Sequence, residues 1–145
     1  MDTEFEVNTR IVFWGDKLNP SNLANILGLK LSYCTLKCKG EMLVRGNGVQ
    51  TGSFSKTGRL GYTYTMEFPE SKYNPEEQFE FIEKKLKKLT EPLYVKYQVE
   101  SAELQVFVYY ENKSSYGCRV DFILPEALLL ELCRHQIAVR ITVLP

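Results

Sequence analysis

Hydrophobic and polar residues alternate along much of this chain, which is the period of strands that bury one face. The clearest alternating runs cover residues 5–13, 60–68, 104–110, 118–124 and 139–143. In the fourth run, Cys118, Val120, Phe122 and Leu124 are predicted to point inward, and Arg119 and Asp121 outward. A further strand is predicted over residues 29–39. The glycine-rich residues 45–61 are predicted to form a long hairpin loop.

Three segments show helical spacing of apolar residues instead, and each begins near a proline. The first helix follows Asn19–Pro20, the second follows Asn74–Pro75, and the third starts at Pro125. Their apolar stripes are Leu23, Ile26 and Leu27; then Phe79, Ile82, Leu86 and Leu89; then Leu128, Leu129 and Leu132. We expect these stripes to face the sheet and form the core.

The order of the elements predicts an α+β fold in a single domain, residues 1–145. A strand, a helix and a strand at residues 11–36 are echoed by the same succession at residues 118–143. Two such units joined through antiparallel strands favour a ferredoxin-like sandwich. Its antiparallel or mixed sheet would carry the helices on one face and leave the other face partly open.

The charge balance argues against a nucleic-acid partner. Lys and Arg number 18, as do Asp and Glu, so the formal net charge is zero, whereas nucleic-acid-binding domains normally show a basic excess or stripe. No apolar run approaches the ~20 residues needed to cross a bilayer. The acidic start of the chain lacks the features of a signal peptide. We therefore expect a cytoplasmic protein with no membrane contact and with reduced cysteines.

Residues 10–29 hold the most detailed local signal, RIVFWGDKLNPSNLANILGL. Gly15–Asp16 is a turn signal after the strand. Asn19 is a helix cap, and Gly28 can adopt the left-handed conformation that ends a helix. Asp16 precedes the helix, so its carboxylate is predicted to accept from nearby backbone N–H groups and to fix the turn, not to take part in a reaction.

The same segment resembles a bacterial family of small proteins known only as a domain of unknown function. The resemblance lies in a strand followed by G-D-x-L-x-P, then L-x-x-I-L-G-L, then K-G-E. The matching residues are Gly15, Asp16, Leu18, Pro20, Leu23, Ile26, Leu27, Gly28, Lys39, Gly40 and Glu41. Some members of such families look like immunity proteins of bacterial toxin systems. The resemblance therefore implies a protein partner, a toxin.

The sequence contains no recognisable motif of catalytic residues. His135 is the single histidine, and it falls at a helix end, where a charged imidazole would complement the helix dipole. Cys34 and Cys38 would share one face of a strand but stand about 13 Å apart, too far for one tetrahedral zinc. A zinc site that combines them with Cys133 and His135 is the alternative to buried free thiols, which we favour. We predict no enzyme activity, no metal and no cofactor.

The open sheet face is the remaining candidate for function. Phe107 and Tyr109 are outward aromatics on a predicted interior strand, and with Arg119 and Asp121 they are the predicted partner-binding residues. Aromatics on a mixed-charge surface suit a protein interface. They could also stack RNA bases, although the excess of Lys and Arg that an RNA-binding surface normally has around its aromatics is missing. The third possibility is a second core layer, with residues 92–100 folded over them. The residues expected around the pair are Glu6, Asn8, Arg10, Thr63, Thr65, Glu67, Arg140 and Thr142.

Together these observations predict a non-enzymatic bacterial protein-binding protein, an immunity protein that neutralises a cognate toxin. The alternative is a ligand- or RNA-binding module that uses the open sheet face. The sequence indicates no particular oligomeric state.

Overall fold

The computed structural model describes residues 5–45, 47–63, 75–110 and 121–144. In chain order the elements are β1 (Phe5–Gly15), α1 (Pro20–Leu27), a 3-10 turn (Leu31–Tyr33), β2 (Cys34–Lys37), β3 (Met42–Val44), β4 (Gln50–Phe54), β5 (Gly58–Thr63), α2 (Pro75–Leu86), α3 (Leu93–Lys96), β6 (Ser101–Tyr110), α4 (Glu126–Arg134) and β7 (Ala138–Leu144). Five strands form one sheet in the order β2-β5-β1-β6-β7, and β3 and β4 form a separate two-stranded sheet.

The five-stranded sheet is mixed. β1 is antiparallel to both of its neighbours, β5 and β6, while β2 is antiparallel to β5 and β7 is parallel to β6. As a result, β1 and β2 run in the same direction with β5 between them, and β5 and β6 run in the same direction with β1 between them. Two interleaved strand–helix–strand units of this kind are what a ferredoxin-like sandwich requires. The α+β class is confirmed, and the narrower ferredoxin-like assignment stays a prediction.

The core lies on one face of the sheet, beneath the helices. The inward residues of β1, which include Val7, Ile11 and Phe13, form one hydrophobic cluster with residues from α1, α2, α3 and α4. The predicted stripes of α1 and α2 are confirmed, since Leu27 and Phe79 are almost fully buried. The prediction for α4 is wrong at one position: Leu128 and Leu132 are buried, but Leu129 is exposed.

The ends of α1 follow the predicted capping chemistry. The side-chain Oδ1 of Asn19 accepts a hydrogen bond from Asn22 N at 3.0 Å, which satisfies a free donor of the first turn. Gly28 ends the helix with φ of 67°, a conformation that glycine adopts without the steric cost of a Cβ. Lys85 of α2 then donates to the carbonyl oxygen of Gly28 at 2.9 Å and ties the two helices together.

The predicted strand at residues 118–124 is wrong in its described part. Residues 121–125 belong to no helix or strand, and residues 111–120 lie outside the described ranges. The reason is topological: β6 pairs with β1 on one side and with β7 on the other, so it has no free edge for a hairpin strand. Phe122 and Leu124 still pack against the core, and the rings of Phe122 and Phe79 lie 5.9 Å apart.

Two further element predictions need correction. The predicted loop at residues 45–61 contains β4 and the start of β5, and β4 pairs with β3 in a hairpin of its own. The strand predicted over residues 29–39 is shorter, because residues 31–33 form a 3-10 turn before β2 begins.

Gln78 on α2 takes the place of a neighbouring strand along part of β1. Its Oε1 accepts from both the backbone N and the Oγ1 of Thr9 at 2.9 Å, and its Nε2 donates to the carbonyl oxygen of Val7. These backbone groups lie just beyond Arg10 and Thr63, the last β1–β5 pair within the described ranges. Gln78 is fully buried, so these bonds satisfy main-chain groups that water cannot reach.

Candidate functional site

The Gly15–Asp16 turn is a packing feature of the fold. A Cβ on Gly15 would lie 2.2 Å from the carbonyl oxygen of Gln98, so a backbone group occupies the place of a side chain. Gln98 itself has φ of 57°, which is uncommon for a residue other than glycine. The turn closes with Leu18 N donating to Gly15 O at 3.3 Å. Glycine is therefore required by close backbone approach and not by chemistry.

Asp16 does not fix this turn in the predicted way. Its Oδ2 accepts from Lys39 Nζ at 3.2 Å, and both side chains are largely exposed. Its own backbone N–H donates to the carboxylate of Glu100. Among the described residues, no backbone N–H donates to the Asp16 carboxylate, so that prediction is wrong. The Asp16–Lys39 pair joins the G-D-x-L-x-P segment to the K-G-E segment, and an exposed pair of this kind contributes little to stability.

The predicted aromatic pair lies on the sheet face opposite the helices, which we call the open face. Phe107 is half-buried and stands in register between Asn8 of β1 and Thr142 of β7. Tyr109, two residues further along β6, is 40% exposed. The structure therefore brings these two residues together on one surface, with the phenol ring of Tyr109 accessible.

Of the other two predicted partner-binding residues, only Asp121 lies within the described ranges, and it does not stand on a strand beside this pair. Arg119 lies outside the described residues, and Asp121 is exposed in the segment that precedes α4. Residues 92–100 do not cover the aromatics either. Leu93 and Val99 from that segment belong to the core on the helix-bearing face. The alternative of a second core layer formed by residues 92–100 over the aromatics is therefore wrong.

A pair of arginines lies on the open face, and sequence reasoning missed one of them. Arg10 of β1 and Arg59 of β5 point to the same side as Phe107. The Nε atoms of both are buried and have no hydrogen-bond partner in the described part of the chain. Burial, followed by the charge of Arg59, lowers the pKa of Arg10. The alternation along β5 carries the signal that would have found Arg59, since it shares a face with Gly61.

Edge strand β7 exposes an apolar stripe on the opposite, helix-bearing side. Val139, Ile141 and Val143 are 39%, 51% and 57% exposed. They stand in register with the buried Leu104, Val106 and Val108 of β6. The helix layer thus covers β6 and stops short of β7, which leaves three branched side chains in a row at the rim of the sheet.

His135 is buried in the core and is not a surface cation. Its Nε2 lies 3.2 Å from the carbonyl oxygen of Leu86 and so donates to it. Its Nδ1 is buried without a partner in the described part of the chain. Burial, followed by the positive charge of Arg134, lowers the pKa of His135. The neutral ring is therefore favoured, and the predicted charge–dipole role is wrong.

Cys34, Cys38 and Cys133, the cysteines of the described ranges, do not assemble into a metal centre with other described side chains. Cys38 and Cys133 are exposed, contrary to the expectation of buried thiols, and Cys34 is partly buried. Burial raises the pKa of the Cys34 thiol. Across residues 5–45, 47–63, 75–110 and 121–144, no group of three or more His, Cys, Asp or Glu side chains could hold a metal ion. Cys118 lies outside those ranges.

Comparison with known proteins gives no family for this chain. A scan against protein-family models, a search of curated proteins and a search of solved structures each found no match. Separately, none of the helices in the described ranges is long and apolar enough to cross a membrane.

Proposed function

We propose that this protein is a non-enzymatic binding protein, and that it holds a protein partner along the rim of the sheet formed by β6 and β7. The observation that carries the proposal is the exposed stripe of Val139, Ile141 and Val143 on an edge strand. Rows of exposed apolar side chains typically mark interaction surfaces. Tyr109 presents an accessible aromatic ring on the other side of the same rim.

The backbone of β7 supports recognition by strand addition. Within the described residues β7 pairs only with β6, so its outer N–H and C=O groups face away from the sheet. Natural proteins usually protect such edges with lysine, proline or a bulge. The strand AVRITVL has none of these, and its one charged residue, Arg140, pairs with Glu103 at 2.9 Å. An extended segment of a partner could therefore continue the sheet, with main-chain bonds for affinity and the stripe for specificity.

The partner class is a bacterial toxin that the protein neutralises. This part of the proposal is supported by the sequence resemblance to families that include immunity proteins. A protein of that kind needs a rigid scaffold and a presented surface, not acid–base groups. The buried core beneath the helices and the open rim beside it provide both of these physical features.

The test is binding to the product of the neighbouring gene. The two proteins are co-expressed, purified together and titrated by calorimetry, and cells that express the neighbour are scored for survival. We expect a stable complex and protection of the cells. Absence of a complex together with absence of protection would contradict the proposed partner class.

Matched variants test the rim itself. Ile141→Lys places a charge in the centre of the stripe, while Val49→Lys makes the same change at a residue of similar exposure, 53%, in the β3–β4 hairpin. We expect Ile141→Lys to weaken the complex by at least about tenfold, since burying an unpaired charge in an interface is costly. Val49→Lys should bind like the parent. A complex indifferent to both changes would place the contact elsewhere.

One observation favours the second candidate, a ligand- or RNA-binding module on the open face. Arg10, which stands two positions along β1 from the residue that faces Phe107, places a positive charge beside the aromatic pair, and Arg59 carries a second one further along the same face. For RNA, affinity should fall steeply with salt and should be lost on Tyr109→Ala. If single-stranded RNA does not bind even at low salt, this candidate fails.

A further inference from the structure

The position of the Arg10 guanidinium on the open face depends on a glycine. Gly61 stands on β5 between the two positions and faces the same side as Arg59. A Cβ built on Gly61 would lie 2.7 Å from Nη2 and 3.2 Å from Nε of Arg10. The guanidinium of Arg10 therefore occupies the space beside the backbone of β5 that a side chain at position 61 would fill. This arrangement brings it towards Arg59 on the same strand.

Two like charges in this position are unfavourable unless something else is bound. Both guanidinium groups keep a positive charge at all ordinary pH values, and each has a buried Nε without an acceptor in the described part of the chain. A buried donor that makes no hydrogen bond costs free energy. The arginines thus repel each other and leave hydrogen-bonding capacity unused.

The carboxylate on the neighbouring strand does not neutralise this pair. Glu103 lies beside Val12 of β1 on the same face, but its Oε1 already accepts from Arg140 Nε at 2.9 Å and from Gln105 Nε2 at 3.0 Å. Its Oε2 accepts from Arg140 Nη2 at 3.3 Å.

The lysine-rich helix α2 shows the opposite arrangement. Lys84 and Lys87 each pair with a glutamate one turn earlier, at 2.9 and 2.7 Å. Lys85 donates to the end of α1. These three lysines therefore have partners, while the two arginines on the sheet keep buried donors that are unused in the described part of the chain.

We propose that Arg10 and Arg59 form a binding site for the phosphate group of a small molecule on the open face. Guanidinium groups pair with phosphate through planar, two-pronged hydrogen bonds. A phosphate carries close to two negative charges at neutral pH, which matches two arginines better than the single charge of a carboxylate. This site is separate from the β7 rim, so the inference does not depend on the protein-binding proposal.

Trp14 offers a direct readout of the site. It is the only tryptophan in the chain, it stands in register with Arg59 across the β1–β5 ladder, and it is partly exposed. The experiment is a titration of the whole protein with inorganic phosphate at constant ionic strength, followed by Trp14 fluorescence. Chloride and acetate are titrated in parallel. We expect saturable binding of phosphate and no saturation with chloride or acetate.

Charge variants then assign the site. Arg59→Gln and Arg10→Gln should each weaken phosphate binding by at least about tenfold, because each removes a charge-assisted hydrogen-bond donor. Arg45→Gln is the matched control, since it removes the same charge from an exposed position next to β3. Thermal unfolding provides an independent readout. Phosphate should raise the unfolding temperature of the parent and of Arg45→Gln but not of Arg59→Gln.

Gly61→Ala tests the geometry without changing any charge. The added methyl group meets the far end of the Arg10 side chain and not the backbone, so the protein should fold while the guanidinium is displaced. We expect phosphate binding to weaken severalfold, with an unchanged circular dichroism spectrum. Equal weakening by Arg45→Gln and Arg59→Gln would overturn the assignment. Equal binding of acetate, binding of single-stranded RNA without binding of phosphate, or no saturation with phosphate would each overturn the proposal.

Discussion

Strands β6 and β7 are neighbours in one sheet, and they differ in what lies above them. Leu104, Val106 and Val108 on β6 are essentially inaccessible, while the residues in register with them on β7 are up to 57% exposed. Both strands alternate in the same way, and both stripes face the helix-bearing side. The comparison shows that alternation determines which side of a strand is apolar, whereas the extent of the helix layer determines whether that side is covered.

The largest expected effect comes from removing a covered side chain. Leu104→Ala should lower the free energy of unfolding by about 2–5 kcal/mol, because it removes buried contacts and leaves a cavity. Urea denaturation monitored by circular dichroism measures this loss. An unchanged urea midpoint would mean that Leu104 does not contribute to the stability of the core, contrary to its burial.

A substitution at Gln78 tests how the buried backbone N–H and C=O groups of β1 are hydrogen-bonded where a side chain takes the place of a strand. Gln78→Leu keeps a similar volume but leaves the N–H of Thr9 and the carbonyl of Val7 buried without partners. Each unsatisfied group costs about 1–3 kcal/mol, so the two together should lower the free energy of unfolding by at least about 2 kcal/mol, as measured by urea denaturation. The control is Glu80→Leu, which introduces the same side chain on the exposed face of the same helix. A loss of equal size in both variants would contradict the strand-replacing role.

Buried His135 should make the free energy of unfolding depend on pH. Its pKa is lowered in the folded protein from the ordinary value of 6.5, so below that value the unfolded chain takes up a proton that the folded protein resists. Stability should be fully present above pH 6.5 and should decline as the pH falls below it, towards the lowered folded pKa. His135→Gln should remove this part of the decline. Parallel stability curves for parent and variant between about pH 7 and about 5.5 would contradict the assignment.

The smallest expected effect comes from the uncovered strand. Ile141→Thr keeps β-branching and reduces only an exposed apolar surface, so the free energy of unfolding should change by no more than about 0.5 kcal/mol. Partner binding, by contrast, should weaken. A loss as large as that of Leu104→Ala would show that β7 is covered in the folded protein, and the contrast between the two strands would disappear.

Much of the fold follows from local chemistry that can be read in the sequence. Asn19 and Gly28 bound α1 because capping depends only on the residues at the helix ends. The stripes of α1 and α2 reach the core because helical spacing places them on one side. The strand predicted at 118–124 could not be rejected from its alternation, although residues 121–124 form no strand, since whether a strand finds a partner depends on which edges other strands have already taken.

Some features of the candidate sites can also be predicted from the sequence, and others arise only in the folded chain. Alternation alone places Phe107 and Tyr109 on one face away from the core, because it is a property of a single strand. The approach of Arg59 to Arg10 across Gly61, the bonds of Gln78 to β1 and the position of β7 beyond the helix layer arise only in the folded chain. Each of these depends on residues distant along the chain becoming neighbours, which no local period encodes.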